Sequence, residues 1–150
     1  MRQAVIFDMD GTLADVSSIR HHIIPMPPSR SKNFTAFHED SVNVPAHDWV
    51  VRAAHEVHNQ GFAVIIVTAR GARFRNQTAM WLALNGVPSD MMFMRPDRDH
   101  RPDFEVKKDI LNRIRDLGFV PVLAFDDNPH VIDLWESEGI PVIRVPGYSE

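Results

Sequence analysis

Ala4-Val5-Ile6-Phe7-Asp8-Met9-Asp10-Gly11-Thr12 is the stretch on which the reading of this chain turns. Its first four residues are an unbroken apolar run, which reads as a strand buried on both faces. Two carboxylates one residue apart then close the run. Side chains in that place project from the C-terminal edge of a sheet, where open α/β proteins bind ligands. Gly11 lets the chain turn away sharply, and Thr12 adds a hydroxyl that can cap the segment after it. One carboxylate can attack while the other handles protons, and the pair suits a hard cation such as Mg²⁺. Asp-x-Asp-Gly also occurs in ordinary turns and in Ca²⁺ loops. The buried strand in front and the missing distal Glu ligand argue against both.

Outward from this stretch, the chain repeats one rhythm. Gly61, Gly86, Gly118 and Gly139 each come after a helix-like segment and precede an apolar run, the pattern of a helix that ends at a glycine and feeds a strand. Strands are predicted over 62–67, 91–94, 120–125 and 140–145, joining the one at 5–7. Helical spacing links Trp49, Val50, Ala53, Ala54 and Val57. It also links Phe74, Ala79, Trp81, Leu82 and Leu84, then Val106, Ile110, Leu111, Ile114 and Leu117. A last helix carries Val131, Ile132, Leu134 and Trp135, with Asn128 as N-cap and Pro129 at its first position. Strands alternating with helices predict an α/β fold: a three-layer sandwich around a parallel five-stranded sheet with right-handed crossovers.

The 150 residues predict a single domain. A hydrophobic fraction of 44% and a charged fraction of 24% are those of an ordinary globular protein. Without cysteine, disulfides, thiolate metal sites and cysteine nucleophiles are excluded. No apolar run approaches a membrane span and no signal-peptide pattern stands at the start, so the expected location is cytoplasmic. The net charge of −4 does not favour broad nucleic-acid binding. Two local clusters, Arg70, Arg73 and Arg75, and Arg95, Arg98, His100 and Arg101, suit a phosphate-bearing ligand instead. The Pro-rich stretch within 13–45 lacks sustained periodicity and reads as too polar for core, hence as a lid or a mobile loop.

Further chemistry falls at strand ends and helix starts. Thr68-Ala69-Arg70 comes after the run 64–67, where a hydroxyl and a planar guanidinium suit phosphate oxygens. Asp126-Asp127 close the run 122–125, at the same sheet edge as Asp8 and Asp10, and would complete a hard-cation site. They also suit the cap of the next helix. Of the neighbours Lys107 and Lys108, helical spacing puts Lys107 on the flank of Leu111 and Ile114 and Lys108 on the wet face. The eight histidines lack cysteine partners and any His-Glu-x-x-His arrangement, and read as surface residues.

Together, Asp8-Met9-Asp10-Gly11-Thr12, Thr68, Lys107 and Asp126-Asp127 resemble the four motifs of the haloacid dehalogenase-like (HAD) phosphatase superfamily, over nearly the whole chain. Thr68-Ala69-Arg70, Thr78 with Trp81-Leu82, Asn85-Gly86-Val87-Pro88, Met94-Arg95-Pro96, Asp103 ahead of Val106-Lys107, and Val131 with Trp135 resemble one branch more closely. That branch is the 3′-phosphatase domain of phage polynucleotide kinase and its single-domain phage relatives. The resemblance implies a Rossmann-like HAD sheet with a minimal cap. It implies that Asp8 attacks phosphorus and that Asp10 first protonates the leaving hydroxyl and then activates water. Mg²⁺ would sit on Asp8, the Asp10 carbonyl and Asp126. Thr68 and Lys107 would bind the phosphoryl oxygens, and Asp127 would hold Lys107 or the metal waters. Arg70 and Asp103 would assist near the substrate, with a further arginine, Arg20 or Arg30, from the loop after the first motif.

A Mg²⁺-dependent phosphomonoesterase acting on phosphorylated nucleotide or nucleic-acid ends is therefore expected. A small-molecule nucleotidase and a silent phosphate-binding module are the other readings. No Gly-x-x-x-x-Gly-Lys-Ser/Thr occurs, so any kinase or ligase activity would belong to a separate partner.

Overall fold

Strand β1 (Arg2–Phe7) lies at the centre of a five-stranded sheet. The computed structural model describes residues 1–23 and 33–148. Five strands, β1, β2 (Ala63–Gly71), β3 (Met91–Arg95), β4 (Phe119–Asp126) and β5 (Val142–Arg144), run parallel in the order β3-β2-β1-β4-β5. The register sets Phe7 beside Ile66 on one side and Phe125 on the other. A parallel sheet needs long crossovers, and these carry the helices α2 (Asp48–Asn59), α3 (Arg75–Leu84), α4 (Asp103–Asp116) and α5 (Pro129–Ser137).

The two-residue period of the strands divides the core. Val5, Phe7, Val64, Ile66 and Phe125 face one layer, with Val50 and Ala54 of α2 and Trp81 and Leu82 of α3. Ala4, Ile6, Ala63, Ile65 and Val67 face the other, with Val106, Ile110, Leu111 and Ile114 of α4 and Val131 and Trp135 of α5. Phe7 and Phe125 stack across the β1–β4 pair with ring centroids 4.5 Å apart. This is the three-layer α/β architecture that the alternation of elements predicts. Gly86, at φ 64°, ends α3 in the left-handed region, so Asn85-Gly86 closes a helix rather than a hairpin.

Several details differ from the sequence reading. Strand β2 continues through Thr68, Ala69 and Arg70 to Gly71, which pairs with Arg95 after a register shift. Trp49, Leu84 and Leu117 stay exposed, each at an end of its helix. Ala79 of α3 is exposed too, while Thr78 beside it is buried.

The segment after the first motif is not too polar for core. Val16, Ile19, Phe37 and Val44 are buried in the same cluster as Phe7. Here helix α1 (Phe34–Asp40) and single 3-10 turns at Arg20–His22 and Ser41–Asn43 each bury no more than a residue or two, too few to set up a period. The proline and serine positions from Pro25 to Ser31, on which the lid reading leaned, lie outside the described residues. Among the described residues, no helix is long and apolar enough to cross a membrane.

Candidate active site

Because β1 is buried on both faces, the chain leaving it has to reverse within a few residues at the sheet edge. Thr12 N–H and Ala14 N–H both donate to the Met9 carbonyl, at 3.1 and 2.9 Å, and Gly11 N–H donates to the Ala14 carbonyl at 2.9 Å. Gly11 adopts φ +83°, and a Cβ placed there would strike the Asp127 carboxylate. The turn therefore demands glycine twice, for conformation and for space. Met9 and Leu13 point into the core, leaving Asp8 and Asp10 to flank the edge.

Asp8 belongs to a buried charge cluster. Lys107, from the first turns of α4, donates to Asp8 Oδ1 at 2.9 Å and to Asp126 Oδ2 at 3.2 Å. The Thr12 hydroxyl lies 3.1 Å from Asp8 Oδ2 and 3.3 Å from Asp127 Oδ1, where it can donate to either. Trp135 Nε1–H also donates to Asp126 Oδ2, and the Asn128 N–H to its Oδ1. Burial pushes the Asp8 carboxyl well above the usual carboxylate range, and Asp126 pushes the same way, against the pull of Lys107. Burial raises Asp127 as well. For Lys107 burial works downward, but Asp126 and Asp8 outweigh it and hold the ammonium above the ordinary lysine range.

Asp10 turns the other way. Arg70, fully buried at the end of β2, donates to it through Nε at 3.0 and 3.2 Å and through Nη2 at 2.5 Å. Its third nitrogen, Nη1, donates to Thr78 Oγ1 at 3.0 Å, and the Thr78 hydroxyl in turn donates to the Phe74 carbonyl. Burial would raise the Asp10 carboxyl, yet Arg70 more than offsets it and keeps the group below its usual value. The Thr68 hydroxyl, buried beside them, accepts the Arg70 N–H at 3.1 Å.

The structure thus gathers Asp8, Lys107, Asp126, Asp127 and Thr12 in one cluster and sets Asp10, Arg70, Thr68 and Thr78 beside it. Lys107 is bound by Asp8 and Asp126, whereas Asp127 faces Thr12 and Arg20. Arg20 sits on the rim with Nη2 3.9 Å from Asp127 Oδ2, and Arg30 lies outside the described residues. Asp103 stands apart, 2.6 Å from Arg95 Nη2. Arg95 also binds the carbonyls of Ala69, Asp99 and Arg101, and Arg101 pairs with Asp99 and Asp109. Much of the second arginine cluster is therefore spent on building its own loop rather than presented to a ligand. Thr12 and Thr78 carry hydrogen bonds whose importance no spacing rule could announce.

One oxygen each from Asp8, Asp126 and Asp127 lie within 4.8 Å of one another, all buried. An all-oxygen set with excess negative charge fits a hard divalent cation. The Asp10 side chain is not in this set, being engaged by Arg70, which leaves only its carbonyl for such a role.

His38 corrects the reading of the histidines as surface residues. Its ring is buried on α1, 5.2 Å from the Phe37 ring and 4.7 Å from that of Phe74, and its Nδ1 has no hydrogen-bond partner among the described residues. Burial lowers its pKa to about 4, despite the nearby charge of Asp10. The unfolded chain takes up this proton as pH falls below 6.5, the folded one only near 4. This residue's contribution is therefore complete above that window and declines within it, by on the order of 3 kcal/mol. Urea unfolding at pH 7, 5.5 and 4 should show a shallower acid loss for His38→Phe than for the wild type. Parallel losses would contradict the burial argument.

A parallel α/β sheet with paired carboxylates at the ends of β1 and β4, a buried lysine from α4 and a buried threonine within β2 is the framework of the HAD-like phosphatases. Residues 2–147 match the family model described as the polynucleotide kinase PNKP phosphatase domain, and the chain belongs to that family. Among solved structures, it resembles a chain of the Pnkp1/Rnl/Hen1 complex, with a TM-score of 0.80 and 23% identity, over 97% of this chain and 46% of that one. A second structure, of the Pnkp1/Rnl/Hen1 RNA repair complex, gives 0.78 and 24% over 97% and 42%. The chain therefore spans less than half the length of those relatives. The class C acid phosphatase of Bacillus anthracis, with tungstate bound, shares the fold at a TM-score of 0.70 and 12% identity, over 98% of this chain and 68% of that one.

Proposed function

We propose that this protein is a Mg²⁺-dependent phosphomonoesterase that works through a phospho-aspartate on Asp8 and removes 3′-phosphates from polynucleotide or nucleotide ends. The observation that carries the chemistry is Asp8 itself, a buried carboxylate at the sheet edge held by Lys107 and Thr12. In the first step an Asp8 oxygen bonds to phosphorus as the ester P–O bond breaks, and Asp10 gives the departing alkoxide its proton. In the second, Asp10 takes a proton from water, whose oxygen attacks the aspartyl phosphate and frees Asp8. Thr68 and Lys107 bind the phosphoryl oxygens. Asp8, the Asp10 carbonyl, Asp126 and Asp127 would hold Mg²⁺, which when bound offsets the charge of nucleophile and phosphate.

Arg70 gives Asp10 its timing. At rest it keeps Asp10 ionised, which is the wrong form for an acid. A phosphate dianion arriving beside Asp10 sets negative charge against it, opposes the pull of the buried Arg70 and lets Asp10 carry a proton.

Membership of the PNKP phosphatase family supports the 3′-end reading. Likeness to chains of an RNA repair complex supports action beside a separate kinase or ligase. The net charge of −4 favours the second reading, a nucleotidase for small esters. Phosphate release from matched 3′- and 5′-phosphorylated oligonucleotides and from mononucleotides, with and without Mg²⁺, separates the two. Release confined to 3′-ends is the expected result, and preference for mononucleotides selects the nucleotidase. Cation binding without turnover on any ester would leave a phosphate-binding module.

A further inference from the structure

We propose that the groove between the starts of α4 and α5 binds the nucleobase of the nucleotide carrying the scissile phosphate, by stacking on Phe104 and Tyr148. The inference rests on the 3′-end reading above and adds the feature that recognises the rest of that substrate.

Pro102, Asp103, Phe104, Asn128, His130 and Tyr148 line this groove, whose volume is about 360 Å³. That is near the lower end of small-ligand sites, which span roughly 300–1,000 Å³. The groove lies next along the chain to two residues of the catalytic cluster. Asn128 is the residue directly after Asp127, and Phe104 precedes Lys107 by nearly one helical turn, about 4.5 Å along the axis and on the same side. A phosphate held at Asp8 and Lys107 therefore has this groove within reach of its own nucleotide.

The lining suits a flat aromatic ligand. Phe104 is 41% exposed, so its ring takes no full part in the core. Lone exposed apolar residues are ordinary, but here three rings, Phe104, His130 and Tyr148, converge from three separate segments. Base–aromatic stacking tolerates any base, because every base has a π-face. The Asn128 amide oxygen caps α5 by accepting from the His130 N–H, which leaves its NH₂ as a donor that wall can offer. Asp103 is paired with Arg95, so its charge is balanced. The Arg20 guanidinium, 3.9 Å from Asp127, also lies 5.8 Å from the Tyr148 ring centroid. It sets positive charge between Asp127 and the aromatic wall.

The test compares a 3′-phosphorylated oligonucleotide with the same strand ending in an abasic 3′-phosphorylated residue, and with β-glycerol phosphate, which has no base. The full chain should prefer the base-bearing end roughly fivefold to a hundredfold in kcat/KM, mainly through KM. Phe104→Leu and Tyr148→Leu keep apolar bulk but lose the flat face. Both should collapse that preference while leaving β-glycerol phosphate hydrolysis unchanged, and Phe104→Trp should retain it. Equal use of the two ends by the wild type overturns the groove while the 3′-end reading stands. So does an equal loss on β-glycerol phosphate in the leucine variants. Hydrolysis of β-glycerol phosphate with none at any 3′-end overturns the 3′-end reading, and the groove with it.

Discussion

Asp8→Asn should lower phosphate release by about a thousandfold or more while leaving the fold intact. Asparagine keeps the shape, its oxygen accepting from Lys107 and its NH₂ donating to the Thr12 hydroxyl, but its amide is no nucleophile. The stability effect should run opposite to the activity effect. Asp8 is one of three buried carboxylates sharing Lys107 and the more distant Arg20 as cations. Its carboxyl is raised first by burial and then by Asp126, so neutralising it relieves repulsion. Without added Mg²⁺ the variant should melt at or above the wild-type temperature, and with Mg²⁺ it should gain less than the wild type. Retention of a tenth of wild-type turnover would place the nucleophile elsewhere.

Lys107→Met should produce the largest loss of stability. The side chains are similar in length, but the ammonium that binds Asp8 at 2.9 Å and Asp126 at 3.2 Å is gone. Both carboxylates are then buried without their cation, a loss of about 3–5 kcal/mol for one broken buried pair. In a chain of this length that corresponds to a drop of roughly 10 °C in Tm. Millimolar Mg²⁺ should restore much of it, because a divalent cation among three carboxylates replaces the missing charge. Activity should fall with or without that rescue, since the phosphoryl oxygens lose their ammonium. Thermal scans of both proteins across a Mg²⁺ series make the comparison. A variant as stable as the wild type in the absence of Mg²⁺ would show that Lys107 does not balance the cluster.

The two variants also separate what was legible in the sequence from what was not. Lys107 could be assigned inward and Lys108 outward by helical spacing alone, and the structure buries the first and exposes the second. The cap at Asn128 and Pro129 was equally legible, because capping is a local hydrogen bond between near neighbours. His38 was not. Its burial depends on Phe37 and Phe74 closing around it, and Phe74 belongs to a distant part of the chain. The core positions Val16, Ile19 and Val44 were missed for a related reason, since irregular chain buries residues without a period.

Local sequence pattern sets the order of strands and helices along the chain, the sheet edge on which the carboxylates fall, and the side of α4 that carries the lysine. Each of these stems from the 2.0 and 3.6 periodicities and from glycine and proline punctuation, which act over a few residues. The partners come from packing: Lys107 bridges Asp8 and Asp126, Arg70 spends its guanidinium on Asp10 and Thr78, and Asp103 is tied to Arg95. A salt bridge or hydrogen bond forms within about 3 Å, and such distances between residues 60 or 99 positions apart are set by how the layers pack.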